Sequence, residues 1–117
     1  MLLIYADENA WESTPADERA GIMREYAQLT AALREQDKLR AGEQLLPVAT
    51  ATTVQVRDGD ALVSDGPFAE TKEVLGGFYL IEADSLDEAI EWAGRIPSAR
   101  SGSIEVRPVV DQSGNGA

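Results

Sequence analysis

The stretch DGPFAETKEVLGGFYLIEA, residues 65–83, decides how this sequence folds. Its second half, Leu75 to Ala83, is apolar almost throughout. A strand with one solvated face alternates apolar and polar residues, whereas one without alternation is covered on both faces. The first half, Asp65 to Glu73, is a nine-residue connection with three carboxylates (Asp65, Glu70, Glu73), one ammonium (Lys72), a hydroxyl (Thr71) and a phenyl ring (Phe68). Antiparallel neighbours need only two to five residues between them, often a bare Asp-Gly. Extra chain and dense polar chemistry are therefore concentrated at one connection.

Upstream of it, Thr52 to Arg57 alternates, with Val54 and Val56 on one side and Thr53, Gln55 and Arg57 on the other. Asp58-Gly59 is a type I′ hairpin signal, and Asp60 to Ser64 returns as the partner strand. Nearer the N-terminus, LLIYA (2–6) reads as a buried first strand and DENAWES as a loop. Thr14 is expected as an N-cap with Pro15 at the first helical position. Ile22, Tyr26, Leu29 and Leu33 then recur at helical spacing, which predicts a helix over about 15–37. LRAGEQLL, around Gly42, is expected to hold a short strand and a turn. Downstream, Ser85 and Glu88 form a capping box, and Leu86, Ala89, Ile90 and Ala93 make one face of a helix ending near Arg95, before Pro97. Ile104 to Val110 alternates as a last strand, and the Gly-rich tail 111–117 is expected to fray.

These elements predict an α+β domain over residues 1–110, with two helices on one face of an antiparallel sheet and a β-hairpin insertion. The other sheet face is left partly apolar by the strand 75–83. A second subunit packing sheet to sheet about a two-fold axis would cover it, so a homodimer is expected.

Composition narrows the chemistry. The 117 residues suit one domain. Twenty-one acids against ten bases give a net charge of −11. Such a chain lacks the basic stripe that neutralises phosphates, so no direct nucleic-acid binding is expected. No apolar run approaches a membrane span and no signal peptide is read at the start, so no membrane association is expected. There is no cysteine, which excludes disulfides and thiol nucleophiles and makes a cytoplasmic location the default expectation. There is no histidine, which removes Ser-His-Asp catalysis and His- or Cys-built zinc sites. Oxygen ligands alone would suit Mg²⁺ or Ca²⁺, but no loop has calcium-site spacing. Neither a metal nor a cofactor is expected.

Two readings of the 65–73 connection stand side by side. In one, Asp65-Gly66-Pro67 is backbone punctuation, Phe68 anchors the loop in the core, and the charges are solvated. In the other, the loop closes a small-molecule pocket between the sheet and the first helix. Asp65, Lys72 and Glu73 are then the candidate chemical groups, with Lys72 as recognition cation and Glu73 as proton carrier. Tyr5, Glu25, Tyr26, Glu43, Phe68 and Thr71 are candidate ligand contacts. Trp11 and Trp92 are expected to serve packing.

Residues 1–110 resemble the YCII-related (YciI-like) family, in the branch named for its DGPF motif. The resemblance is carried by Asp65-Gly66-Pro67-Phe68 with Glu70-Thr71-Lys72-Glu73, by MLLIYADE and by MREYAQLTAAL. It implies a ferredoxin-like, dimeric α/β barrel fold. It implies no established reaction, and some bacterial relatives are encoded beside, or fused to, extracytoplasmic-type sigma factors. YciI-like relatives carry a first-helix histidine proposed for a His-Asp pair; here that position falls at or beside Glu25-Tyr26. The resemblance therefore leaves two functions. One is a ligand-binding or regulatory module linked to a sigma factor. The other is a small-molecule enzyme, a lyase, isomerase or hydrolase, using carboxylate acid/base chemistry.

Overall fold

The structure, a computed structural model, describes residues 1–111; the flexible tail expected over 111–117 lies, from 112 onward, outside the described residues. The elements are β1 (Leu2–Ala6), α1 (Glu8–Glu12), α2 (Ala16–Glu35), β2 (Leu39–Gln44), β3 (Thr52–Arg57), β4 (Asp60–Asp65), β5 (Val74–Ile81), α3 (Leu86–Gly94) and β6 (Ser103–Val106). Short 3₁₀ turns occupy Val48–Thr50 and Pro97–Arg100. The main sheet has the order β2-β5-β1-β6, antiparallel throughout, while β3 and β4 form a separate ribbon. With the ribbon set aside, the β1-α2-β2-β5-α3-β6 path is the ferredoxin-like arrangement.

The core lies between this sheet and the helices. Leu2, Ile4 and Tyr79 come from the sheet, Leu29 and Leu33 from α2, Trp92 and Ala93 from α3, and Ile96 from the turn that follows. The α2 periodicity is borne out, since its buried leucines fall on the expected stripe. Its end is a Schellman motif: Asp37 is left-handed (φ 56°), Lys38 N–H donates to the Leu33 carbonyl and Asp37 N–H to that of Arg34.

Several expectations are corrected. DENAWES is not all loop: Asp7 accepts from Asn9 N–H and caps α1. Thr14 does not cap α2, because its hydroxyl donates to the Ala10 carbonyl, and Pro15 is the cap residue without a side-chain bond. On α3, Leu86 and Ile90 are exposed, and Trp92 takes the core position beside Ala93. The last strand stops at Val106, short of Pro108, which has no N–H for a ladder. Phe68 is 83 % exposed, so the ring is not seated in the core of its own chain. The Ser85–Glu88 box forms with one difference: Ser85 accepts from Glu88 N–H, while the Glu88 carboxylate accepts from Asp84 N–H.

Register fixes the faces of the sheet. Tyr79 pairs with Leu2 and Gly42 and points to the helices. Its neighbour Phe78 pairs with Leu3 and Glu43, so these three share the opposite face. Tyr5 lies on that face too, paired with Leu75 past a bulge and with Ser103. Among the described residues no helix covers this open face, and β5 presents apolar side chains to both sides. The chain is correspondingly spread out. Its radius of gyration is 16.6 Å, against about 13 Å for a compact domain of this length.

Gly102, just ahead of β6, lies tight against β1. A Cβ there would collide with the Tyr5 carbonyl, whereas one at Gly94 meets open space. Gly102→Ala is expected to lower stability by about 1–3 kcal/mol through overpacking. Gly94→Ala, in a helix, is expected to be neutral or stabilising. Urea midpoints of the two variants check the contrast.

Candidate functional site

The 65–73 connection begins where β4 ends. Gly66 is left-handed (φ 92°); its N–H donates to the Ala51 carbonyl, and its carbonyl accepts from the Thr53 hydroxyl. Those bonds tie the loop to the entrance of β3 and account for the glycine of the motif. Pro67, Ala69, Glu70 and Thr71, with Val74 at the start of β5, then face the 3₁₀ turn that holds Val48 and Ala49. They enclose an open cavity of about 310 Å³. Its far wall is fixed by α1, since the Glu8 carboxylate accepts from Val48 N–H.

The candidate residues divide by place. Thr71 lines this cavity, and Glu70 is the one ionisable side chain in the lining. Asp65, Lys72 and Glu73 do not line it. Glu73 is turned toward β6, where it accepts from the Ser103 hydroxyl at 2.9 Å, and its own carbonyl accepts from Thr71. Lys72 and Asp65 are exposed. Phe68 stands between two lining residues but points outward. Tyr5 and Glu43 lie on the open sheet face, whereas Glu25 and Tyr26 lie on the helix side. Within one chain the fold does not bring these two sets together.

On the helix side a second polar group forms. The Tyr26 hydroxyl bonds that of Ser98 at 2.6 Å, and the Thr30 hydroxyl bonds that of Tyr79 at 2.9 Å. Burial raises the Tyr26 pKa, opposed by the Ser98 bond. Beside it, Arg100 donates to both Glu25 oxygens, at 2.8 and 3.0 Å. That hydrogen bonding, with the charge of Arg100, holds the Glu25 carboxyl below its ordinary value near 4.5. A third cluster joins Lys38 to Glu88 (3.2 Å) and Asp84 (3.6 Å), with the Trp92 indole donating to Glu88 and Arg95 over the indole ring. Bonds from Asp84 N–H and the Trp92 indole lower the Glu88 pKa. These clusters bind elements to each other and use up their own charges. Sequence reasoning missed them because the partners stand 75, 72 and 50 residues apart, without local pattern.

Among the described residues, no group of three or more His, Cys, Asp or Glu side chains is placed to hold a metal ion. No described helix is long and apolar enough to cross a membrane.

The mixed α+β fold with its antiparallel sheet agrees with what comparison with known proteins finds. The YCII-related domain matches residues 1–113. The chain belongs to the YCII-related family. It is also similar to an uncharacterised protein of Rhizobium meliloti (strain 1021), 40% identical over 110 residues, which covers 92% of this chain and 89% of that protein. The family places the fold on firm ground and leaves the chemistry to the residues of this chain.

The Glu25–Arg100 fork has a pH signature. A carboxylate whose folded pKa is depressed adds stability above its unfolded pKa, and that stability is lost as pH falls through the folded value. Glu25→Gln is expected to lower the denaturant midpoint slightly at neutral pH, both partners being partly exposed. The difference should close as acid protonates Glu25. A gap between variant and wild type that stays constant into strong acid would contradict the pairing.

Proposed function

We propose that this chain is a small-molecule binding module of the DGPF branch, acting as a homodimer that joins open sheet face to open sheet face as a dimeric α/β barrel. The observation that carries the ligand reading is the cavity between the 67–74 segment and the 48–49 turn. Its walls are Val48, Ala49, Pro67, Ala69 and Val74, with one carboxylate and one hydroxyl added by Glu70 and Thr71. Pockets of this build hold an apolar body and orient it through a few polar groups. The ligand is therefore a compact amphiphile whose head donates to Glu70 and Thr71. Lys72 next to them serves as the recognition cation at the rim, offsetting the carboxylates of Asp65, Glu70 and Glu73 or holding an anionic group on a larger ligand.

The binding reading is preferred over acid/base catalysis for one reason. General acid/base work needs at least two convergent titratable groups, and Glu70 alone faces this cavity. Glu73, the candidate proton carrier, is held by Ser103 outside it. The link to an extracytoplasmic-type sigma factor, and with it a regulatory role in the cytoplasm, comes from the family resemblance; the binding reading stands without it.

Benzylamine, benzyl alcohol and benzoate share one apolar body and differ in the head group. Titrated into labelled protein and followed by amide NMR shifts, they are expected to perturb residues 67–74, the amine most and benzoate least. Glu70→Gln should abolish the preference for the amine. Shifts confined to other residues, or equal binding of amine and carboxylate by wild type, would overturn the assignment.

A further inference from the structure

The β3–β4 ribbon has no place in the core. Its strands contact each other extensively and the rest of the chain sparsely. Val54 pairs with Val63 and Val56 with Ala61, so these four share one face. The valines are 59 % (Val54), 61 % (Val56) and 66 % (Val63) exposed. A two-stranded ribbon alone in water is marginal at best. This one carries an apolar stripe that water would disfavour further, so its cover must be present wherever the chain is folded. A second copy of the chain is the partner available at that stoichiometry.

We infer that the ribbon is a dimer arm, its Val54–Val56–Val63 face covered by a second copy of the chain. The inference rests on the homodimer reading above and extends it from the sheet to the ribbon. Three observations support it. The molecule spans 48 × 48 × 18 Å, a plate rather than a rounded body. The exposed parts of Leu45, Leu46, Val54, Val56, Val63 and Phe68 amount to on the order of 700 Å², close to the ~800 Å² per partner of a standard interface. A two-fold pair uses each surface twice, arm on body and body on arm, and leaves no open end. Because β4 runs directly into the loop, the same contact would set the 67–74 wall of the cavity beside the interface.

The test is sedimentation of three proteins at micromolar concentration: wild type, Val56→Glu on the valine face, and Gln55→Glu on the opposite face of the same strand, where Leu62 is its cross-strand neighbour among polar residues. Wild type and Gln55→Glu are expected as pairs with the same dissociation constant. Val56→Glu is expected to raise that constant by about tenfold or more, since a buried unpaired charge is costly. A Val56→Glu protein that associates like Gln55→Glu would overturn the arm and leave the dimer standing. A monomeric wild type would remove both. If Val56→Glu fails to fold, Val56→Thr keeps the test: it is expected to weaken association, and an unchanged constant would overturn the arm.

Discussion

The structure depends on one constraint: β5 is central in its sheet and apolar on both faces, while the helices cover only one. Tyr79 and Ile81 meet α2 and α3, and Phe78 and Leu80 face the other way. Hydrophobic burial scales with the area removed from water, and on the open face Phe78 and Leu80 are only partly buried within the chain. Their surface is continuous with Leu3, Tyr5 and Leu75. A family fold that leaves such a face open is complete as a topology and incomplete as a packed object.

The ribbon and the long connection follow from the same constraint. A chain optimised as a monomer would close β2 to β5 with a short turn. Here the path runs out through β3, back through β4, and then through the eight residues 66–73 before β5 begins. That detour places valines and Phe68 in water and builds the cavity at its base. Exposure and cavity have one origin, so on the proposed reading ligand binding would be tied to association. A ligand held by the 67–74 wall would stabilise the pair, and pairing would raise affinity for the ligand, as linkage requires.

Much of the fold was legible in the sequence because its signals were local. Asp58-Gly59 formed the expected turn, with φ of 52° and 83°. Ser85 capped α3, and the spacing of Ile22, Tyr26, Leu29 and Leu33 marked the face of α2. Failures came where local rules compete. Thr14 could cap α2 or close α1, and it closes α1. Helix α1 is only five residues long and has no periodicity to read. Leu86 and Ile90 obey helical spacing, yet the core takes Trp92, because the position of α3 on the sheet is set by contacts distant in sequence. The site was half legible. The length and polarity of residues 65–73 marked the loop that forms one wall of the cavity, and Thr71 lines it. Val48 and Ala49, which form the opposite wall, carry no chemical signal, and the separation of Tyr5 and Glu43 from Glu25 and Tyr26 is decided by strand register alone.

The central claim is that a second copy covers the apolar surfaces left open by β5 and by the ribbon. Hydrogen exchange at the β3–β4 amides, followed over a dilution series, tests it most directly. The ladder of a solitary ribbon opens freely, whereas one buried at an interface opens only when the pair does. The account predicts protection of the Thr53, Gln55 and Leu62 amides, which bond across the ribbon, approaching that of β5 at high concentration and falling as the protein is diluted. Rapid exchange of those amides at every concentration, with β5 still protected, would contradict it.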